Sequence, residues 1–179
     1  MREHRIKNML LSALLVALVT VGAFLRIPTP WVTLTMQLPF ALLAGLLLGH
    51  VWGTAAMAIY VIMGLVGLPV FAGGGGLAYV LRPTFGYVLA LIPAVLAVGI
   101  LTAKDKTPRR LMSSALCGVA VVYTVGIAYA LMITSLVLGV PDAAWTVILG
   151  ALITLPKDIL LAVGAALIAA RLLPILKKA

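Results

Sequence analysis

The chain has 179 residues, of which 64% are hydrophobic and a further 17 are glycine, whereas soluble domains contain roughly 45–50% apolar residues with glycine included. A domain of this size cannot hide so much apolar surface from water, so lipid must surround most of it. The composition therefore predicts an integral membrane protein and excludes a water-soluble globule.

The charged residues are few and strongly unbalanced, with 13 basic against 4 acidic side chains. They cluster at the ends of apolar runs, and no basic surface interleaved with aromatic residues is present to hold a nucleic acid. The single Cys117 lies in an apolar run without other ligands at metal-binding spacing, so we expect no internal disulfide, metal or cofactor. The bilayer is the predicted partner of the basic residues.

Six apolar runs approach the length of a membrane-spanning helix, which needs about 20 residues. A signal peptide is the alternative for the first run, but no small-x-small cleavage site lies near its end and other apolar runs follow. Pro93 and Pro156 are expected to bend the fourth and sixth runs. The sequence predicts one membrane domain over residues 1–179, with spans at about 8–25, 37–49, 51–68, 85–103, 111–138 and 143–173.

Charge asymmetry predicts the orientation of these spans. If both termini are cytoplasmic, the basic residues near 2–7, 104–110 and 171–178 lie inside, and only Arg26, Arg82 and Lys157 remain for the outer side or outer half. Basic residues favour cytoplasmic loops. The predicted fold is therefore all-α, with six transmembrane helices and both termini in the cytoplasm.

Two connections predicted on the outer side have unusual sequences. Residues 26–37 combine a Pro-x-Pro segment with Thr35 and Gln37 at the mouth of the second span. One interpretation is a rigid link anchored by Trp31 at the lipid headgroups. The other is that Thr35 and Gln37 supply uncharged hydrogen-bonding groups to a cavity.

The second connection contains four consecutive glycines at 73–76. Glycine lets the backbone approach a ligand closely, although the same run is also typical of a hinge. The aromatic residues that flank it favour a loop that folds over a flat apolar group: Phe71, Tyr79, Phe85 and Tyr87.

Asp158 lies inside the sixth apolar run, roughly 22 Å along the helix from its start. An acidic residue at membrane depth marks a functional site by default. A structural ion pair with a basic residue such as Arg82 is the alternative. Because Lys157 is about 100° away around the helix, we expect it to snorkel or to reach another partner.

Ala13 and Ala17 are four residues apart in the first span, so they share one helix face. Small residues at this spacing allow another helix to approach closely. The pattern predicts a helix contact within this chain or with another protein.

Five motifs follow one another along nearly the whole chain: Ile-Pro-Thr-Pro at 27–30 with Thr35 and Gln37, Gly-Leu-Pro-Val-Phe-Ala-Gly-Gly at 67–74, Pro-Thr-x-Gly-Tyr at 83–87, Tyr-x-x-Gly at 123–126 and Pro-x-Asp at 156–158. Together and in this order, they resemble the BioY proteins, the biotin-specific S components of energy-coupling-factor (ECF) vitamin transporters.

The resemblance implies the S-component fold and capture of biotin from outside. It also implies a transmembrane coupling subunit, contacted by Ala13 and Ala17, and two cytoplasmic ATPases. No Walker motif occurs in this chain. The predicted ligand-binding residues are Thr35, Gln37, Phe71, Gly73, Gly74, Gly75, Tyr79, Arg82, Tyr87, Tyr123 and Asp158.

Two positions depart from the family pattern. Members often carry lysine three residues after the aspartate, where this chain has Leu161, and Arg82 and Phe85 stand in a stretch that is usually Gly-Pro-Thr-Gly-Gly-Tyr. Arg82 is a candidate for the positive charge. A solitary or proton-coupled secondary transporter that uses Asp158 as proton carrier is the alternative function. A membrane enzyme is not favoured, since neither His-Glu-x-x-His nor Gly-x-Ser-x-Gly occurs.

Overall fold

The computed structural model describes residues 2–28, 33–139 and 144–178. These residues form helices apart from one short hairpin and the connecting loops. The elements in chain order are α1 (Arg2–Phe24), β1 (Arg26–Pro28), β2 (Thr33–Thr35), α2 (Gln37–Leu65), a 3₁₀ helix (Leu77–Leu81), α3 (Phe85–Leu89), α4 (Leu91–Leu101), α5 (Pro108–Met132) with a π-helical extension (Ile133–Val137), and α6 (Ala144–Lys178).

Within the described ranges, four helical segments are long and apolar enough to cross a membrane, namely Arg5–Phe24, Gln37–Leu65, Pro108–Val137 and Ala144–Leu176. The helical stretch Phe85–Leu101 is apolar but shorter. Much of their surface consists of exposed Leu, Ile and Val side chains. That surface suits lipid rather than water, so the chain is an all-helical membrane protein.

Helix α2 is a helical hairpin rather than one straight rod. Gly49 has φ 77° and ψ −172°, which interrupts the helix and suits glycine because it has no β carbon. The Gln37 amide nitrogen lies 2.5 Å from the Tyr60 hydroxyl, although a straight helix would separate these residues by roughly 34 Å. The chain therefore reverses at Gly49, at the predicted boundary between the spans 37–49 and 51–68, and brings residues 37–48 beside residues 50–65.

The fourth apolar run is divided into α3 and α4 at Ala90. The sequence predicts a bend at Pro93, and the interruption lies three residues earlier. The proline ring clashes with the carbonyl four residues before it, which belongs to Leu89. Helix α3 therefore ends at Leu89, the residue whose carbonyl the proline disturbs.

Glycines let the helices of the core approach one another closely. A β carbon on Gly53 would lie 2.7 Å from the Ala44 carbonyl oxygen, and one on Gly99 would lie 2.3 Å from the His50 amide nitrogen. Gly118 of α5 similarly faces Leu42 of α2. These contacts join α2, α4 and α5 into a tightly packed unit, against which α1 and α6 also pack.

The hairpin and the loop after α2 lie at the same end of the bundle. Arg26 of β1 pairs with Thr35 of β2 across the antiparallel hairpin, and the Met36 amide donates to the Gly22 carbonyl at 2.9 Å. The predicted anchor Trp31 and the predicted first residue of the sixth span, Ala143, lie outside the described residues.

Candidate functional site

A cavity of about 230 Å³ lies between the helices at the end of the bundle that carries the hairpin. All helices after α1 contribute to its wall, and the rest comes from the hairpin, the loop after α2 and the residues between the 3₁₀ helix and α3. The wall is formed by Arg26, Thr35, Gln37, Leu38, Ala72, Gly73, Tyr79, Arg82, Thr84, Tyr87, Val88, Leu91, Val122, Tyr123, Thr154, Lys157 and Asp158.

Asp158 is the buried acidic residue of this cavity, with 8% of its surface exposed. The Tyr123 hydroxyl on α5 donates to Asp158 Oδ2 at 2.7 Å. Thr154 Oγ1, one turn earlier on α6, lies 2.7 Å from the same phenol oxygen. A phenol has a single proton, and Tyr123 donates it to the Asp158 carboxylate. The Thr154 hydroxyl is therefore a donor, either to the phenol oxygen or to a backbone carbonyl of its own helix.

Lys157 lies beside Asp158 in the cavity, which corrects the expectation from helical spacing. Its Nζ is 2.8 Å from Asp158 Oδ1 and donates to the Thr35 carbonyl at 2.6 Å. The four-carbon side chain is flexible enough to return across the helix surface, so the 100° separation of the α carbons does not keep the charges apart. The predicted alternative of an ion pair at Asp158 is realised by Lys157 and not by Arg82.

Asp158 Oδ1 retains the capacity to accept a hydrogen bond. Among the described residues, no group donates to it in hydrogen-bonding geometry, although Lys157 Nζ is within ion-pairing distance. A buried acceptor without an aligned donor is costly, so the site favours a ligand that brings an N–H or O–H group. We call Tyr123, Thr154, Lys157 and Asp158 the helical wall.

Gln37 belongs to a second chain of hydrogen bonds. The Thr35 hydroxyl donates to Gln37 Oε1 at 3.3 Å, and Gln37 Nε2 donates to the Tyr60 hydroxyl. Tyr60 in turn donates to the Val70 carbonyl at 2.9 Å. This chain fixes the side-chain amide in one orientation beside the cavity and ties the start of α2 to the following loop.

Phe71 does not line the cavity, unlike the other predicted aromatic residues. It is fully buried, with its ring centroid 4.8 Å from that of Tyr79 and 5.5 Å from that of Tyr60. A β carbon on Gly64 would lie 2.0 Å from this ring, so the absence of a side chain there makes the space that Phe71 fills. Phe71 therefore packs into the protein core and holds the loop after α2 in place, rather than contacting the cavity.

The loop after α2, residues 66–76, is called the glycine loop below. Phe71 and Gly74 exchange backbone hydrogen bonds at 3.0 and 3.1 Å, so Ala72 and Gly73 form the tip of a tight turn. Of the predicted glycines, Gly73 lines the cavity, whereas Gly74 and Gly75 do not. Gly75 packs so closely that a β carbon would lie 2.2 Å from the Leu68 carbonyl oxygen.

Two arginines hold the tip of the glycine loop. Arg26 donates to the Ala72 carbonyl, and Arg82 donates to the Gly73 carbonyl at 3.3 Å. The Arg82 guanidinium also lies over the Tyr79 ring, 4.9 Å from its centroid, as in a cation–π contact. We call Arg26, Arg82 and the two carbonyls they hold the arginine rim.

Tyr87 and Tyr123, two of the predicted ligand-binding residues, both line the cavity, and Gly126 of the Tyr-x-x-Gly motif has a steric role. The two rings meet edge to face with centroids 5.9 Å apart. A β carbon on Gly126 would lie 2.6 Å from the Tyr87 ring. The absence of a side chain at Gly126 thus allows the Tyr87 ring to pack against α5.

Four polar residues that line the cavity are not among the predicted ligand-binding residues. Arg26, Thr84, Thr154 and Lys157 all lie on its wall. Thr154 precedes Asp158 by four residues and so shares its helix face. This spacing alone is enough to predict that Thr154 lies in the same site as Asp158. In the sequence, Arg26 and Lys157 are distinguished only as basic residues outside the predicted cytoplasmic segments. Among the described residues, no cluster of three His, Cys, Asp or Glu side chains could hold a metal ion.

Ala13 and Ala17 lie on the outside of the bundle. Both are exposed, as are Leu10, Leu14 and Val21 nearby on α1. The described residues of this chain therefore do not cover the small-residue face.

Comparisons with known proteins agree with this architecture. Residues 1–178 match the sequence model of the BioY family. The chain belongs to the BioY family. A probable biotin transporter BioY from Lysinibacillus sphaericus is 33% identical, with all of this chain and 93% of the relative aligned. One from Pyrococcus horikoshii is 41% identical over 67% of this chain and 72% of the relative.

A solved structure resembles the whole fold. The crystal structure of the S-component for biotin from an ECF-type ABC transporter superposes with a TM-score of 0.82, at 29% identity, over 96% of this chain and 93% of that one. The BioY relatives come from bacteria and archaea and are named as transporters. This BioY protein is accordingly a multi-pass protein of the prokaryotic plasma membrane and not an enzyme.

Proposed function

We propose that this BioY protein captures biotin in the cavity between the helical wall and the arginine rim, as the S component of an ECF-type uptake system. The observation that carries the proposal is the buried Asp158 carboxylate on the cavity wall, whose Oδ1 lies 2.8 Å from Lys157 Nζ but has no aligned donor among the described residues. The ureido group of biotin has two N–H donors. A hydrogen bond from one of them to this oxygen would contribute about 1.5–3 kcal/mol.

The other properties of the wall also suit biotin. Tyr79, Tyr87 and Tyr123 surround the space with aromatic faces and edges, which fit the apolar bicyclic body. Gln37, held by Thr35 and Tyr60, offers a fixed amide to the ureido edge. Of the four charged side chains on the wall, three are cationic and one is anionic, so a monoanionic ligand improves the charge balance.

We further propose six membrane crossings with both termini in the cytoplasm. The hairpin at Gly49 turns α2 into two crossings, α3 and α4 together make another, and α1, α5 and α6 make one each. Basic residues then lie mainly inside. The cavity opens outward in this arrangement, and a coupling subunit with two ATPases would supply the energy for uptake.

The experiment that tests the function is titration of the purified full chain in detergent with biotin, by calorimetry, alongside thiamine and riboflavin as unrelated vitamins. We expect saturable binding of one biotin per chain and none of the other two. Absence of biotin binding, or equal binding of all three, would refute the proposal. Uptake by cells that lack the ATPase subunits, if abolished by an uncoupler, would instead favour a proton-coupled secondary transporter.

A further inference from the structure

We propose that Arg26 and Arg82 make the cavity selective for ligands that carry a free carboxylate, so that neutral esters and amides of the same ring system are rejected. The inference rests on the proposed function, because biotin supplies the ring system. Its basis is the position of the two guanidinium groups, which hold neighbouring carbonyls at the tip of one loop and both face the cavity.

The tip of the glycine loop brings the two positive charges together. Ala72 and Gly73 are consecutive residues of one tight turn, and each carbonyl accepts from a different arginine. Among the described residues, no Asp or Glu lies within ion-pairing distance of either guanidinium. A carbonyl dipole offsets a full charge only in part, so the two cations repel one another until an anion lies between them.

Separate elements hold the two arginines in place. Arg26 stands on β1, opposite Thr35, whose carbonyl accepts from Lys157. Arg82 ends the 3₁₀ helix and stacks on Tyr79. Because neither arginine depends on the other for its position, the pair is prepared for a carboxylate before the ligand arrives.

The helical wall has no comparable excess of charge. Lys157 already neutralises Asp158 at 2.8 Å, so the polar groups there suit a neutral hydrogen-bonding group such as a ureide. The anionic end of the ligand therefore belongs at the arginine rim. Arginine also presents paired N–H groups that match a carboxylate.

The experiment compares biotin with biotinamide, which keeps the rings and the tail but lacks the charge. Purified full-length protein is titrated with each compound at low ionic strength. Since the rim is exposed, we expect biotin to bind about tenfold more tightly than the amide, and the ratio to fall as salt screens the charges. In the double variant Arg26→Gln, Arg82→Gln, the ratio should fall below about twofold, because biotin binding weakens much more than amide binding.

Arg171→Gln is the matched control, since it removes an exposed cation that does not line the cavity. It should keep the discrimination of the parent protein. Equal binding of biotin and the amide by the parent protein would overturn the inference and leave the proposed function intact. An equal loss of both ligands in the double variant would also overturn it, since the arginines would then only support the loop. Failure of the parent protein to bind either compound would refute the proposed function itself.

Discussion

The helical wall takes its polar side chains from two long helices, whereas the arginine rim takes its groups from a strand, a turn and the end of a short helix. Asp158 and Tyr123 are both less than a tenth exposed, while Arg26 and Arg82 are exposed. Electrostatic and hydrogen-bonding contacts count for more in a dry environment than at a wet surface. We therefore expect substitutions in the wall to cost more binding energy than substitutions at the rim.

The two regions also differ in how their charges are balanced. In the wall, Lys157 and Tyr123 engage both oxygens of Asp158. At the rim, backbone carbonyls accept from the two cations, and Arg82 also lies over the Tyr79 ring, but no carboxylate of the described residues pairs with either. The wall is suited to orient a neutral group and the rim to recognise a charged one.

Asp158→Asn is predicted to have the largest effect on binding. The variant keeps the shape of the side chain but removes the anionic acceptor and leaves Lys157 without its partner at 2.8 Å. We expect biotin affinity to fall at least tenfold, about 1.4 kcal/mol, in calorimetric titration. Asp105→Asn is the control, because Asp105 is exposed, does not line the cavity and accepts from Thr107 in the loop before α5. Equal affinities of Asp158→Asn and the parent protein would contradict the assigned role.

Tyr123→Phe is predicted to have an intermediate effect. It removes the donor to Asp158 Oδ2 at 2.7 Å and keeps the aromatic ring in the wall. Loss of this hydrogen bond should weaken biotin binding about fivefold, corresponding to about 1 kcal/mol.

A second tyrosine provides the matched control for this test. Tyr129 donates to the Val80 carbonyl at 2.6 Å and does not line the cavity. Tyr129→Phe should therefore change biotin affinity less than about twofold. If the two variants bind biotin equally well, the hydroxyl of Tyr123 has no special part in the site.

Gly64→Ala tests whether the rim depends on packing beneath the glycine loop. The new methyl group would lie 2.0 Å from the Phe71 ring, so the ring and the tip above it must move. We expect the free energy of unfolding to fall by about 1–3 kcal/mol and biotin affinity to fall about threefold, measured by thermal unfolding and titration in detergent.

Gly164→Ala is the control for this substitution, because the β carbon it would add points into open space among the described residues. Alanine is also the better helix former. The control should be as stable as the parent protein or slightly more so. A stable Gly64→Ala variant with unchanged affinity would mean that Phe71 does not position the rim.

The predicted ligand-binding residues include two members of each region, Tyr123 and Asp158 in the helical wall and Gly73 and Arg82 at the rim. An aspartate inside an apolar run is costly unless it serves a site, and this argument alone located Asp158. The turn at Gly49 was likewise predicted where glycine separates two apolar runs. Such signals are local, because they depend on the residue and its immediate neighbours in the chain.

The contacts that escaped prediction depend on tertiary structure or on flexible side chains. Arg26 contacts Ala72, which is 46 positions away in the sequence, and no motif in either segment predicts this contact. Helical spacing directs Lys157 about 100° away from Asp158, but its long side chain bends back to contact that carboxylate. The burial of Phe71 required the space above Gly64, which only the folded loop reveals.

Ala17→Trp should leave both regions of the cavity unchanged and is therefore predicted to have the smallest effect on biotin binding. Ala17 is exposed on α1 and does not line the cavity, so biotin affinity should stay within about twofold of the parent protein. If the face with Ala13 contacts the coupling subunit, the indole would hold the helices apart and prevent assembly. Copurification of the coupling subunit with tagged protein measures that loss.

Ala120→Trp controls for the cost of a large side chain on an exposed helix surface, since Ala120 is exposed on α5. It should preserve both biotin binding and copurification. Ala17→Trp that assembles normally would remove α1 from the subunit interface. Ala17→Trp that loses biotin while it still assembles would show that α1 supports the cavity, and the separation between a binding site in α2–α6 and a docking face on α1 would then be wrong.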